Sequence, residues 1–249
     1  MKTFAQIQDP KTLNSQELNE MFSLFEKNYD NTCFQRFTRK FKQEATHIIL
    51  IRESRTKAII GFQRFQIMNT QYKGKNYILF YSGTVIKDAR YYGEKSLPKA
   101  TSKLFMKTRF AHPRSKLIFV AMFNGWKTFL YVHRFLPCFP YAKQSSLGNS
   151  VAKGLLQHVG LTLYGEENYD TKSNIVHRAG QENLFKEDEI AQLPKNYREI
   201  PELAWFVKNN PNYRSGDEIL SICELSYSLL FKATLRLGSK IVKGRLKRA

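Results

Sequence analysis

The sequence predicts an α/β fold of the α+β kind, a mixed sheet with helices on its faces. Three observations carry this. Two helix-periodic segments open the chain, three β-rich runs follow as a meander, and a helix then separates two strongly apolar strands before a further helix. The 249 residues are 42% hydrophobic, enough to bury a sizeable core in one large domain or in one domain with an appendage.

The elements follow in order. Asp9-Pro10 to Asn14 is a polar lead-in. Ser15 to Tyr29 carries Leu18, Met21, Phe22 and Phe25 at helical spacing, with Ser15 as the capping residue. Thr32 to Lys42 repeats the pattern with Phe34, Phe37 and Phe41, and turns Arg36, Arg39, Lys40 and Lys42 outward. Thr46 to Arg52 and Ala58 to Met68 are strands joined by a hairpin loop, and Gly61 inside the second marks a bulge or a close backbone approach. The run Tyr77 to Ile86 is apolar, aromatic and β-branched throughout and reads as a strand buried on both faces. A helix from about Leu97 to Phe110 tolerates Pro98 in its first turn, takes Ser96 as its cap and stops at His112-Pro113. Lys116 to Phe123 is the second buried strand, broken by Asn124-Gly125, and a helix then runs to Pro137.

Beyond Pro137 the pattern weakens. Cys138 to Lys143 reads as a last strand, Ser150 to Tyr164 as a helix and Ile200 to Lys208 as a short helix. Asp217 is expected to cap a long helix to Leu235 on Ile219, Ile222, Leu225, Leu229 and Ala233. This divides the chain into a catalytic-type domain over 1–145 and a mostly helical C-terminal extension over 146–249 that ends in a basic tail.

The stretch Arg90-Tyr91-Tyr92-Gly93-Glu94-Lys95-Ser96 leaves the central strand and opens a helix. The free N–H groups of a helix's first turn point outward, and the helix dipole favours an anion there. Gly93 lets the backbone come close to such an anion. These seven residues form a candidate phosphate cradle. A plain surface turn is the alternative.

Strand, R-x-x-G-x-x turn, helix, strand and then N-x6-Y on a helix resembles the acyl-coenzyme A binding half of the GNAT acyltransferase superfamily, over roughly Ser15 to Tyr141. Two residues depart from the pattern: Lys95 stands where the family has Gly or Ala, and Leu136 where the family's helix ends in Gly-Phe. The resemblance implies a mixed, mostly antiparallel central sheet flanked by helices. It implies a pyrophosphate on Arg90 to Ser96, a pantetheine slot between splayed strands along Thr84, Val85 and Ile86, and an acceptor pocket walled by the first two helices. It also implies that Tyr131 protonates the departing thiolate, with Asn124 seven residues before it at the strand end. The expected function is acyl transfer, from acetyl-CoA or another acyl-CoA used as substrate, or from an acyl carrier protein, to an amine or hydroxyl by direct attack. Backbone N–H groups of the central strand would polarise the thioester carbonyl.

Other signals bound the function. Forty Lys and Arg against 21 Asp and Glu leave a net charge of +19, which speaks to partners rather than to fold. Seven of these cations and no acid fall between Lys232 and Ala249, interleaved with Leu235, Leu237, Ile241, Val242 and Leu246. An anionic membrane surface, an acidic carrier or a nucleic acid would each suit that charge. The rival to the enzyme is a non-catalytic protein of the same fold that binds nucleic acid or a membrane surface. Five histidines and three cysteines show no metal-ligand spacing, so no metal is expected. The N-terminus lacks an apolar signal region, and no run approaches the roughly 18 apolar residues of a membrane span. The chain is therefore expected in the cytoplasm, free or peripheral at the membrane. Glu53, His47, His112 and His133 are the general-base candidates, and no pattern selects among them.

Overall fold

The computed structural model of the chain describes residues 2–91, 93–177, 184–186, 192–229 and 231. The elements are β1 (Thr3–Gln8), α1 (Ser15–Glu26), β2 (Tyr29–Asp30), α2 (Phe34–Arg39), β3 (His47–Glu53), β4 (Ile59–Tyr72), β5 (Lys75–Lys87), α3 (Ser96–Ala111), β6 (Lys116–Phe123), α4 (Trp126–His133), α5 (Asn149–Tyr164), β7 (Tyr169–Asp170), β8 (Ile175–Val176), β9 (Leu184–Phe185), α6 (Pro201–Asn209) and β10 (Glu218–Glu224). The sheet has eight strands in the order β1-β3-β4-β5-β6-β10-β8-β7, and β2 pairs with β9 apart from it. Every pairing in the large sheet is antiparallel except β5 with β6, which α3 joins as a crossover. The mixed, mostly antiparallel sheet flanked by helices is thus the one expected.

Local chemistry sets the element ends. α1 begins at a capping box: the Glu17 N–H donates to the Asn14 side chain, and the Asn14 N–H donates to the Glu17 carboxylate. The cap is therefore Asn14 rather than Ser15. α2 continues as a single π turn over Lys40–Glu44. Gly61 in β4 does both things expected of it. The β3–β4 register shifts beside it, and a Cβ there would meet the Ile86 carbonyl at 2.8 Å.

One face of the sheet carries α3, α4 and α6, with Phe65, Phe80, Phe105, Phe119, Phe129 and Phe206 in one cluster. The other face is covered by two separate packs. α1 and α2 set Met21, Phe37 and Phe41 over Ile48, Leu50 and Phe62. α5 sets Leu155, Leu156 and Val159 over Leu79, Val120 and Leu220. The Phe stripe of the second helical segment is therefore core at Phe37 and Phe41, while Phe34 stays 39% exposed.

The C-terminal third departs from expectation. The long helix from Asp217 does not form: Glu218–Glu224 is strand β10, inserted beside β6 over six paired residues. Ile219 and Cys223 face one side of the sheet, Leu220 and Ile222 the other. A strand apolar on both faces loses its two-residue period, and its Ile219–Ile222–Leu225 spacing then mimics a helix. Asp217 instead pairs with His177 at 3.0 Å and accepts at its carbonyl from Asn210. Cys138 to Lys143 is not a last strand either. Phe139 makes one isolated bridge to Ile222, and Pro140 has no N–H to extend it. β1 was not anticipated, and it caps the sheet edge against β3. The helices expected near 150–164 and 200–208 are α5 and α6. The basic tail from Lys232 lies outside the described residues. No described helix is long and apolar enough to cross a membrane.

Because β10 sits inside the sheet, it is predicted to stabilise the whole fold. Leu220 is fully buried. Leu220→Ala should lower the unfolding free energy by about 2–5 kcal/mol, in one cooperative urea transition followed by circular dichroism. A major transition left unmoved by the substitution would mean that the C-terminal third folds apart from the rest.

Candidate functional site

The site is built around the point where β5 and β6 part. Their parallel ladder runs from Tyr77–Lys116 to Ser82–Ala121 and ends there. β6 continues through Met122 and Phe123 on β10, while β5 continues to Lys87 on β4. Each strand keeps its outer partner and the two lose each other. The cause lies at Gly83-Thr84. The β4–β5 register steps from Gln63–Val85 to Phe65–Ser82, so β5 has two residues where β4 has only Arg64. Such a bulge bends its strand and strengthens the local twist. It also exchanges the faces of β5: Phe80 packs with Phe65 below α3, whereas Ile86 packs with Phe62 and Leu50 under α1 and α2. Past Ser82, the β6-facing edge of β5, with Thr84, Val85 and Ile86, pairs with no strand among the described residues. Free backbone N–H and C=O groups on such an edge can pair with an extended amide-bearing chain, as another strand would.

Arg64 sits over the bulge. Its residue is 5% exposed, and the guanidinium lies against Gly83, where a Cβ would meet Nε at 2.7 Å and Nη2 at 2.8 Å. Nη1 donates to the Glu44 carboxylate at 3.1 Å and to the Lys40 carbonyl at 3.3 Å, and the charge stands 5.5 Å from the Tyr81 ring centre. Nε is buried without a hydrogen-bond partner. The cation lies at the seam between the α1–α2 pack and the α5 pack, where Tyr164 Oη also meets Tyr81 Oη at 3.2 Å. Sequence reasoning missed Arg64 and Glu44. The one available signal was a bulky cation inside an otherwise β-periodic run, at Phe62-Gln63-Arg64-Phe65.

The turn from Arg90 to Ser96 leaves β5 as expected and opens α3, with Tyr91 ending a short 3-10 turn and Gly93 at φ +84°. Tyr92 lies outside the described residues. The turn already carries an anion. The Glu94 carboxylate accepts from the Ser96 N–H, at the start of α3, and from Thr3 Oγ1 at 2.7 Å, while Lys87 Nζ donates to the Glu94 carbonyl at 3.3 Å. Burial alone would raise the Glu94 pKa. The bonds from Thr3 and Ser96 and the nearby Lys87 ammonium outweigh it, and the carboxyl titrates below its ordinary value. Arg90, 73% exposed at its side chain, folds back onto Asp88 through three contacts of 2.6–3.2 Å. Ser96 lies inside α3 rather than at its cap, which is Lys95, and Lys95 and Lys99 are exposed around that first turn.

Parallel pairing places the ends of β5 and β6, and so the starts of α3 and α4, at one end of the sheet. Asn124 lies there, between β6 and the α4 cap Gly125. Tyr131 is on the outer side of α4, 48% exposed, with its ring 5.2 Å from Phe135. Partial burial raises its pKa, so the phenol stays protonated and able to donate at neutral pH. Among the base candidates, His133 is pushed to about 4 by burial and holds the Phe129 carbonyl at 2.8 Å, which suits a neutral structural imidazole. Glu53 accepts from Thr56 in the β3–β4 turn. His47 is lowered by burial and then by Lys107, and His112 ends α3 away from the slot. No three His, Cys, Asp or Glu side chains cluster among the described residues.

The Glu94 carboxylate occupies the Ser96 N–H at the start of α3. Replacing it by the neutral Glu94→Gln is predicted to tighten binding of inorganic pyrophosphate, read by calorimetry, roughly two- to fivefold. Unchanged or weaker binding would place the anion site elsewhere.

No family model and no curated protein matches the sequence. Solved structures do resemble it. A conserved protein of unknown function from Enterococcus faecalis V583 is 10% identical over 91% of this chain and 66% of its own, with a TM-score of 0.44. The NatC complex bound to Gag peptide and CoA is 10% identical over 91% of this chain and 100% of that one, at 0.41. A Trypanosoma brucei acetyltransferase is 12% identical over 53% of this chain and 90% of its own, at 0.40. At TM-scores below 0.5 these resemblances carry no further argument. What the chain itself shows is a mixed, mostly antiparallel sheet with a single parallel pair crossed by α3 and a slot beyond Ser82.

Proposed function

We propose that the chain transfers an acyl group from a coenzyme A thioester to an amine or hydroxyl acceptor. The observation that carries this reading is the slot, where β5 runs five residues past its last partner on β6. A pantetheine arm carries two amides along an extended chain, and the free edge of Gly83 to Lys87 suits it. The phosphates would then fall towards the start of α3, near Lys95 and Lys99, once Glu94 gives up the Ser96 N–H.

In this reading the reaction is direct. The acceptor's lone pair attacks the thioester carbonyl, the carbon–sulfur bond breaks, and Tyr131 protonates the sulfur while the proton that the acceptor loses goes to solvent, from which the phenol is restored. Backbone N–H groups on the free edge at the bulge of β5, that of Val85 foremost among Thr84, Val85 and Ile86, would polarise the carbonyl as charge develops on its oxygen. The buried Arg64 guanidinium adds positive potential beside that point, in a setting where charge is poorly screened. Tyr131 would give its proton to the departing thiolate, and its raised pKa keeps that proton available. Asn124, at the end of β6, would hold an amide of the donor. The acceptor would approach from the face of α1, α2 and α5.

The test is coenzyme A release from acetyl-CoA with a panel of primary amines, followed by thiol detection. Tyr131→Phe is expected to lower turnover by about 10²–10⁴-fold while calorimetry gives nearly the same coenzyme A affinity. Wild-type turnover from the folded variant would return Tyr131 to a packing role against Phe135. No release with any amine, in a protein that still binds coenzyme A, would favour a binding protein of the same fold.

A further inference from the structure

Among the described residues, Phe231 and Phe110 are the most exposed of the large apolar side chains, at 66% and 63%, and Tyr227 is 45% exposed. They belong to one patch. The rings of Phe110 and Tyr227 lie 6.0 Å apart, and Phe231 follows Tyr227 by one helical turn, which puts both on one side of that turn. The base of the patch is fixed. Arg109, buried beneath it, stands 4.6 Å from the Tyr227 ring, donates to the Ser115 carbonyl at 2.5 Å and also bonds the Pro113 carbonyl. Isolated exposed apolar residues are ordinary, whereas neighbouring exposed aromatics over a hydrogen-bonded arginine mark an interaction surface. Lys103 and Lys107 share the outer face of α3 with Phe110 at three- and seven-residue spacing, and the exposed Arg114 follows in the next turn.

We propose that this patch docks the protein on an anionic lipid surface. Aromatic rings rimmed by lysine and arginine suit the boundary between headgroups and acyl chains. The chain runs on from Phe231 into seven cations and no acid, with five Leu, Ile and Val residues among them. Aliphatic side chains gain from a bilayer interface and gain little from a phosphodiester backbone, so lipid is favoured over nucleic acid. The patch also lies well away from the slot. Phe110 is fourteen residues along α3 from Ser96, roughly 21 Å at the helical rise. Docking at Phe110 leaves the mouth of the slot open. The proposal is independent of the acyl-transfer reading.

The test uses the full chain in flotation with neutral phosphatidylcholine vesicles and with vesicles one third phosphatidylglycerol. Wild type is expected to float with the anionic vesicles only. The double variant Phe110→Ser with Phe231→Ser should lose about tenfold or more in partitioning, since two aromatic side chains no longer leave water. Both side chains are exposed, so an unchanged thermal midpoint is expected for the variant. As a second readout, Phe110→Trp should float as wild type does and add a blue-shifted fluorescence component on anionic vesicles. Absence of flotation at low salt overturns the proposal. So does flotation that the serine variant leaves unchanged, which would assign binding to charge alone. Phenylalanine-dependent binding to a single-stranded oligonucleotide without vesicle binding would overturn it in favour of nucleic acid.

Discussion

β5 pairs with two neighbours that diverge, and the bulge at Gly83 and Thr84 lets it do so. Along its first half it is an interior strand, hydrogen-bonded to β4 and β6 at once. Beyond Ser82 it follows β4 alone, while β6 follows β10. The sheet is therefore two half-sheets joined along six residue pairs, and each has its own helices on the face opposite α3. The slot follows directly from this division. A regular strand would have kept the β6 ladder and closed the edge; the extra residue releases it and turns Ile86 to the other face.

The seam between the half-sheets is polar where the two helical packs meet: Glu44 after α2 and Tyr164 at the end of α5 reach it with polar groups. Arg64 occupies it, and a buried cation costs stability unless its donors are engaged. Glu44, the Lys40 carbonyl and the Tyr81 ring provide part of that compensation, and Nε is left over. Glycine at 83 is what lets the guanidinium lie against the strand, since a side chain there would occupy its place. Cost and position together suggest a reason other than packing. At the α3 end the logic is reversed: Glu94 and Asp88 supply negative charge to the Ser96 N–H and to Arg90. In the proposed function a phosphate at that turn would compete with the Glu94 carboxylate, whose lowered pKa keeps it charged at neutral pH.

Much of the first half was legible in the sequence because its signals are local. Tyr77 to Ile86 is apolar on both faces, and a glycine turn, a proline-bearing helix and a second apolar run follow it in fixed order. Those features require no knowledge of distant residues. β10 was misread for the opposite reason. Its Ile219, Ile222 and Leu225 spacing fits a helix as well as a doubly buried strand, and only its insertion beside β6 decides between them. β1 is an edge strand of half-buried residues with a weak alternating signal. Arg64 had only its place inside a β-periodic run to mark it among 40 cations, since its burial depends on Glu44 and on Gly83. The self-capping by Glu94 had a readable sign, an acid just before a helix start, where the dipole favours it.

The central claim is that the free edge of β5 receives the donor. Titrating the isotope-labelled chain with coenzyme A, while following backbone amide resonances, tests it most directly. The account predicts the largest shifts at Gly83, Thr84, Val85 and Ile86, with smaller ones at the start of α3 and little change along Tyr77 to Tyr81, whose amides are already shared between β4 and β6. Saturable coenzyme A binding that leaves the β5 amides unmoved would contradict it.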